Sequence, residues 1–242
     1  MKVVLTRPDP DNDALSDAFS THGIACLVAP MLTIEATDAP GLGEAVSAAQ
    51  AILATSANGV RALAAAAEGR DLPLIAVGDA TAAAATTAGF AKVTSANGDS
   101  AALAVLAEAE LDPKAGPLVH VAGSHVAGDL DTILGAAGFD YRRIEVYDAV
   151  ATTTLPSALS EALRGASVDG VAFFSPRTAA TFVSLAREAG LADTLKSVTA
   201  YCLSDAVAAA VEANLWRRVI TAPWPRIDAL VDQVIADQAV PT

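Results

Sequence analysis

The sequence predicts an α/β protein made of two related halves. Short apolar runs alternate with alanine-rich segments of helical length, which is the pattern of parallel strands joined by crossover helices. Several short motifs recur in the same order along the chain. Two further segments alternate apolar and polar residues and fit neither half as core strands. Together these observations predict two α/β domains connected by paired extended segments.

The apolar runs have the length and composition of buried strands. We predict strands at residues 2–6, 24–29, 50–54, 74–77, 91–94, 117–122, 141–147, 169–174, 198–203 and 217–221. Helices are expected between them, since capping residues precede apolar positions spaced three and four apart. Asp99 or Ser100 is the predicted cap of one helix, and Asp205 is the predicted cap of another.

Three pairs of segments share a layout in which an apolar strand leads through polar residues to a helix. The pairs are 53–63 with 172–182, 75–85 with 201–211, and 3–8 with 119–124. We interpret them as a pseudo-repeat of one α/β unit. The alternative is chance similarity, because alanine-rich helices match one another easily.

Segments 30–38 and 144–152 each read as a half-exposed strand of a paired ribbon. If they pair, the chain enters a second domain after about residue 36 and returns near residue 150. The predicted domains are therefore a discontinuous one, 1–33 plus 152–242, and an inserted one, 37–146.

Charge and composition exclude several classes of protein. The chain has 15 Lys+Arg against 28 Asp+Glu, a net charge of −13, which disfavours binding to a phosphate backbone. A mean hydropathy of +0.43 with 18% charged residues is too apolar for a disordered chain. We find no signal-peptide pattern and no apolar stretch long enough to cross a bilayer. The prediction is a cytoplasmic protein that binds neither nucleic acid nor membrane.

Hydroxyl side chains recur where a strand ends and a helix begins. At that edge of an open α/β sheet, free N–H groups attract anions, so the set predicts a site for a carboxylate-rich small molecule. Each hydroxyl taken alone is more simply a helix cap. The three histidines and two cysteines are too scattered for a metal site, and nucleotide-binding and hydrolase loops are absent from the sequence. The hydroxyl positions are Thr6, Thr55, Ser56, Thr81, Ser124 and Ser175.

The motifs LTRP, TSANGV, AVGDAT, EVY and FFSP follow one another in this order. In order and spacing the chain resembles the uroporphyrinogen-III synthase family over nearly its whole length. The resemblance implies two flavodoxin-like parallel-sheet domains joined by a two-stranded β-ladder, with the active site in the cleft between them. The small-molecule substrate that it implies is hydroxymethylbilane, and we expect the protein to be a monomer. The family removes water from that linear tetrapyrrole and closes the ring with inversion of the last pyrrole, using no cofactor or metal.

The resemblance assigns roles to individual residues. Tyr147, of the Val-Tyr pair, is expected to be catalytic and to assist loss of the hydroxyl, because a phenol is protonated at neutral pH and can donate a hydrogen bond. Without the resemblance, Tyr147 would be read as a packed strand residue. The expected substrate-binding positions are Arg7, Ser56, Ala57, Asn58, Thr81, Ser175 and Arg177.

Two positions depart from the family pattern. Val207 stands where the family has a hydroxyl, and Val126-Ala127 stands where it has a Gly-Arg pair. These departures keep open an alternative, a non-catalytic two-domain protein that binds an anionic metabolite. A sugar-nucleotide transferase is disfavoured because neither half has a convincing diphosphate loop. Retention of Tyr147 favours the enzyme.

Overall fold

The structure is a computed structural model and describes residues 1–125 and 128–238. Within these ranges the chain forms two compact units, the first from Met1–Thr33 with the chain from Val150 onward, the second from Ile34–Ala149. The strands are β1 (Lys2–Leu5), β2 (Ala25–Val28), β3 (Leu32–Ala36), β4 (Ala51–Ala54), β5 (Pro73–Ala76), β6 (Lys92–Ser95), β7 (Leu118–Gly123), β8 (Tyr141–Ala151), β9 (Gly170–Phe173), β10 (Thr199–Cys202) and β11 (Arg218–Thr221).

Helices connect most of these strands. Two of them, α4 (Asp79–Thr87) and α8 (Pro176–Glu188), end shortly before a glycine with positive φ, Gly89 (+89°) and Gly190 (+66°), a conformation that other residues adopt only with strain. The helices are α1 (Asp13–Ser20), α2 (Leu42–Ala48), α3 (Ala57–Ala66), α4 (Asp79–Thr87), α5 (Ser100–Glu110), α6 (Leu130–Ala136), α7 (Ser157–Arg164), α8 (Pro176–Glu188), α9 (Asp205–Ala210) and α10 (Ile227–Gln238). Every helix in the described ranges is too short or too polar to span a bilayer.

The sheet of the first unit has the order β11-β10-β9-β1-β2, and its strands are all parallel. Numbered along the chain within this unit, that order is 2-1-3-4-5 when read from β2, the flavodoxin-like arrangement. The predicted α/β class with parallel sheets is confirmed.

The sheet of the second unit has the order β3-β8-β7-β4-β5-β6. Its strands β4 to β8 are parallel, whereas β3 runs antiparallel to β8: the Thr152 amide donates to the Met31 carbonyl and the Thr37 amide to the Val146 carbonyl. If β7 is taken as the first strand, the parallel part again reads 2-1-3-4-5 from β8. The second sheet therefore has the flavodoxin-like order with its chain circularly permuted.

The segments paired by sequence similarity occupy equivalent places in the two sheets. Strands β1 and β7 are each first in this order, β9 and β4 third, and β10 and β5 fourth. Each third and fourth strand is followed by the matching helix, α8 or α3 and α9 or α4. The motif repeats therefore follow a repeat of the fold, as the pseudo-repeat interpretation predicts.

Both faces of each parallel sheet are buried, which explains why the strands read as continuous apolar runs. In the first unit Val4 and Val171 face α7, α8 and α9, while Val3 and Leu5 face α1 and α10. The second unit repeats this alternation: Ile52, Leu74 and Val119 pack on one face and Leu53, Ile75 and Leu118 on the other.

Two details differ from the sequence prediction. Asp205, the predicted cap of α9, lies instead in its first turn, because the Ser204 hydroxyl caps this helix by accepting from the Val207 amide at 3.4 Å. The segment 144–152 is not a separate ribbon but the continuation of β8, which begins at Tyr141. One strand thus pairs with the parallel β7 on one side and the antiparallel β3 on the other.

Candidate functional site

At the carboxyl edge of each parallel sheet, there is one place where the helices that follow two neighbouring strands pack on opposite faces of the sheet. In the first unit it lies between β1 and β9, since α1 and α8 pack on opposite faces. In the second unit it lies between β7 and β4, where α6 and α3 diverge in the same way. Open α/β sheets bind ligands at such switch points. Six of the eight site residues named from the sequence lie on the loops that follow β1, β4 and β9 or in the first turns of the helices after them: Arg7, Ser56, Ala57, Asn58, Ser175 and Arg177.

A cavity of about 280 Å3 opens at the switch point of the second unit, and we call it the Tyr147 cavity. Its lining comes from the carboxyl ends of the parallel strands and is rich in hydroxyl groups. The Asp99 carboxylate in the lining is already engaged, because it caps α5 by accepting from the Ala101 and Ala102 amides at 3.0 Å. The lining residues are Thr55, Ser56, Val77, Asp99, Ser100, Gly123, His125 and Tyr147.

Tyr147 and Ser56 meet in this cavity, with 2.9 Å between Tyr147 Oη and Ser56 Oγ. Ser56 is the N-cap of α3, and its oxygen also accepts from the Gly59 amide at 3.0 Å. Because the amide can only donate, the Ser56 proton is free to be donated to Tyr147. When Ser56 donates to Tyr147, the Tyr147 proton points away from Ser56 and is available to a ligand; when Tyr147 donates, Ser56 accepts with its second lone pair.

A β-bulge aims the Tyr147 ring. Ala122 of β7 lies opposite Glu145, but the next residue, Gly123, lies opposite Tyr147, so Val146 is an extra residue in β8. Such a bulge interrupts the alternation of side chains between the two faces of the sheet, so Tyr147 points in a different direction from the one it would have without the extra residue. Val146 is buried, and the half-buried Tyr147 packs against the same apolar cluster.

Gly123 makes room for that ring. A Cβ atom on Gly123 would lie 2.7 Å from Cζ, 2.8 Å from Cε2 and 3.0 Å from Oη of Tyr147. The position of the phenol therefore depends on the absence of a side chain at residue 123.

Behind the cavity wall a buried histidine joins two hydroxyl groups. His120 of β7 is fully buried, with Thr55 Oγ1 at 3.0 Å from Nε2 and Tyr141 Oη at 2.6 Å from Nδ1. Burial, aided by the charge of Arg143, lowers the pKa of His120 to about 4. Burial also raises the pKa of Tyr141 to about 12. Both rings are therefore neutral at physiological pH.

Arg7 lies at the switch point of the first unit. Its guanidinium forms an ion pair with Asp11 at 2.5 Å and stacks over the Phe174 ring, 5.2 Å from the centroid. Among the described residues, its buried Nε atom and the buried Oδ1 atom of Asn12 lack hydrogen-bond partners. Arg7 is thus held against the loop that follows β9.

Ser175 and Arg177 lie on that loop and at the start of α8. The Ser175 oxygen caps α8 by accepting from the Thr178 amide at 3.1 Å, and it also bonds Thr178 Oγ1 at 2.9 Å. Arg177 is half-buried and, within the described residues, has no ion-pair partner. Its guanidinium remains available to an anionic ligand.

Thr81 and Val207 occupy equivalent positions in the first turns of α4 and α9, and both are buried. Thr81 is not among the residues that line the Tyr147 cavity. Val207 packs in the core of the first unit.

Ala57 and Asn58 follow Ser56 in the first turn of α3, where the Asn58 side-chain oxygen accepts from Arg61 at 2.6 Å. The departure at Val126-Ala127 lies outside the described residues.

The two cysteines are free thiols. Cys202 is buried in the first-unit core, and burial raises its pKa to about 12. Burial also raises the pKa of the half-buried Cys26. In the part of the chain that the structure describes, no group of three or more His, Cys, Asp or Glu side chains is placed to hold a metal ion.

The family model of uroporphyrinogen-III synthase HemD matches residues 13–232, nearly the whole chain. The chain belongs to the uroporphyrinogen-III synthase family. Among solved structures, uroporphyrinogen-III synthetase from Helicobacter pylori is similar with a TM-score of 0.62 at 15% identity, covering 97% of this chain and 98% of that one. A mutant uroporphyrinogen III synthase from Thermus thermophilus gives a TM-score of 0.55 at 18% identity, covering 98% and 97%. No curated protein sequence matches the chain.

Within this family member, the fit of Tyr147 against Gly123 leads to a prediction. Gly123→Ala should displace the ring from Ser56, because the new methyl group would lie within 3.0 Å of three ring and hydroxyl atoms. We expect loss of activity of at least about tenfold, and a loss of stability of about 1–3 kcal/mol from overpacking. Activity and the free energy of unfolding should be measured on the same preparation.

Gly135→Ala is the matched control for that variant. Gly135 lies in α6 of the same unit, and nothing lies within 4 Å of a Cβ atom there. This substitution should hold or raise stability, because alanine favours helices, and should leave activity unchanged. Full activity in Gly123→Ala would show that the position of Tyr147 does not depend on Gly123.

Proposed function

We propose that this chain is an active uroporphyrinogen-III synthase, a cyclising lyase that converts hydroxymethylbilane to uroporphyrinogen III with inversion of ring D. The observation that carries the proposal is the 2.9 Å hydrogen bond between Tyr147 and Ser56 at a switch-point cavity, in a chain of this family. The chemistry needs one proton donor near the leaving hydroxyl and firm control of the substrate's conformation.

In the proposed reaction Tyr147 donates its proton to the departing hydroxyl. The carbon–oxygen bond breaks, the oxygen takes the bonding electrons and the phenol proton, and water leaves. The pyrrole nitrogen supplies electrons to the carbon, and its N–H proton returns to the phenolate. We propose that Ser56 is the donor in its hydrogen bond with Tyr147 during this step, since this direction leaves the phenol proton free beforehand and stabilises the phenolate oxygen afterwards.

The carboxylates of the substrate need hydrogen-bond donors, and this acidic protein has few cationic side chains to provide them. We assign this role to the predicted binding positions: Ser56, Ala57, Asn58 and Thr81 in the second unit, and Arg7, Ser175 and Arg177 in the first. Backbone amides at the starts of α3 and α8 also attract carboxylates, because free N–H groups and the positive end of the helix dipole lie there. Val207 removes one hydroxyl from this set, and we propose that the remaining donors suffice.

We further propose that the protein acts in the cytoplasm as a monomer, with residues 1–33 plus 152–242 and residues 37–146 as its two domains. No metal or cofactor is needed for the steps above, since the substrate already carries its leaving group. The net charge of −13 supports a protein that binds neither nucleic acid nor a membrane surface.

The decisive experiment supplies freshly generated hydroxymethylbilane to the purified, chelator-treated protein and separates the type I and type III products. We expect mainly the type III isomer. Substrate left alone gives type I, so an uncatalysed sample measures the background, and a known synthase shows that the assay works. If only type I forms while the known synthase succeeds, the chain is not an active synthase.

A further inference from the structure

His120 is a buried titratable side chain to which the proposed reaction gives no role. It connects two cavities of the second unit: Thr55, bonded to Nε2, lines the Tyr147 cavity, and Tyr141, bonded to Nδ1, lines a separate cavity of about 300 Å3. Tyr141 is not among the residues that line the Tyr147 cavity. The three side chains form one hydrogen-bonded chain from the first cavity to the second.

The number of protons on the three side chains limits the directions that these two hydrogen bonds can take. A neutral imidazole has one N–H donor and one acceptor nitrogen, so one hydroxyl partner donates to the ring and the other accepts from it. A phenol is more acidic than an aliphatic hydroxyl and is therefore the better donor to an imidazole nitrogen. The contact to Tyr141, at 2.6 Å, is also shorter than the 3.0 Å contact to Thr55. Both facts favour donation from Tyr141 to Nδ1.

We propose that His120 is a positioning residue that directs the proton of the Thr55 hydroxyl into the Tyr147 cavity. Tyr141 donates to Nδ1, Nε2–H donates to Thr55 Oγ1, and the Thr55 proton is left to bond a carboxylate oxygen of the bound substrate. The identity of that ligand rests on the proposed function. The direction of the hydrogen bonds rests only on the buried geometry.

The opposite arrangement would give the cavity a different chemistry. If Nδ1 carried the proton, Thr55 would donate to Nε2 and would present only lone pairs to the cavity, which repel a carboxylate. Tyr141 prevents this by occupying Nδ1 as a donor. A residue outside the cavity lining thus fixes the polarity of a hydroxyl group within it.

The first part of the test measures KM and kcat for type III formation in three single variants and one double variant. Thr55→Val should raise KM about tenfold or more, because a hydrogen bond to a charged group is lost, whereas Thr55→Ser should retain most of the affinity. Tyr141→Phe should raise KM about threefold to tenfold with little change in kcat. Adding Tyr141→Phe to Thr55→Val should cost nothing further, since Tyr141 acts through Thr55.

Tyr201→Phe is the matched control for loss of a buried tyrosine hydroxyl. Tyr201 lies in the core of the first unit and donates to Asp237 at 2.6 Å. Tyr201→Phe should lose stability, as Tyr141→Phe should, but it should leave KM unchanged. An equal rise in KM in both variants, or additive losses in the Thr55–Tyr141 double variant, would overturn the positioning role.

The second part reads the tautomer directly from the 15N chemical shifts of the His120 ring and needs no turnover. We expect the Nε2–H tautomer in the wild-type protein and a larger fraction of the Nδ1–H tautomer in Tyr141→Phe than in the wild type. A wild-type Nδ1–H tautomer would overturn the inference even if type III product forms. Conversely, an Nε2–H tautomer without type III product would overturn the proposed function and leave the orientation of Thr55 by His120 standing.

Discussion

Tyr147→Phe is expected to lower the rate of type III formation about 10- to 100-fold while changing stability little. The substitution removes one hydroxyl and keeps the ring that packs against Gly123. This loss of rate is below the usual range for general acids because this substrate loses its hydroxyl unaided. The phenol bonds Ser56, so one hydrogen bond is lost, worth about 1 kcal/mol of unfolding free energy.

Alanine variants of the neighbouring hydroxyl positions set the scale for this effect. Ser56→Ala and Ser175→Ala each remove an N-cap of matching geometry, so each should cost about 1 kcal/mol of stability. Ser56 bonds Tyr147, so Ser56→Ala should slow the reaction more than Ser175→Ala does. Ser56→Ala, Ser175→Ala and Thr81→Ala should each lower the rate less than Tyr147→Phe does, because several donors together bind the substrate carboxylates.

Turnover and melting temperature should be measured on all four variants together. An unchanged rate in Tyr147→Phe would show that the hydroxyl takes no part in the reaction. A rate loss accompanied by a collapse in melting temperature would show that Tyr147 is a packing residue instead.

The strands and the repeated topology were predictable because their physical cause is local. A strand covered on both faces is apolar along most of its length, so β4 and β9 stand out within the runs 50–54 and 169–174. The three similar segment pairs were visible for a related reason: equivalent strand–loop–helix units need the same sequence of apolar run, cap and helix start. The circular permutation of the second sheet was not visible, because pattern similarity carries no information on which strands are neighbours.

Much of the candidate site depends on contacts that sequence patterns do not encode. His120 reads as one more residue of a buried strand, and only the fold brings it between Thr55 and Tyr141, which are 65 and 21 positions away. Likewise, the register shift beside Gly123 leaves no trace in the alternation of β8. The EVY motif identified Tyr147 through family resemblance, but only the pairing of β8 with β7 explains the direction of its ring.

Acid should destabilise the protein through His120 between about pH 6.5 and pH 4. Burial, with a contribution from the charge of Arg143, holds the folded-state pKa at about 4, below the ordinary value of 6.5. As pH falls through this window, the unfolded chain binds the proton first, so the free energy of unfolding decreases. The full shift corresponds to about 3 kcal/mol, lost as pH falls from 6.5 to below 4.

His120→Gln isolates this contribution, because glutamine does not titrate and can still bond a hydroxyl. The variant is expected to be less stable than the wild type at pH 7, but its free energy of unfolding should fall less steeply towards pH 4. Carboxylates titrate in the same window in both proteins, so the difference between the two curves reports His120. His22→Gln, at an exposed position, controls for loss of a histidine from the unfolded chain and should retain the steep fall. Parallel curves for the wild type and His120→Gln would mean that His120 is protonated in the folded protein as readily as in the unfolded chain, and its ring would then have to donate to both Thr55 and Tyr141.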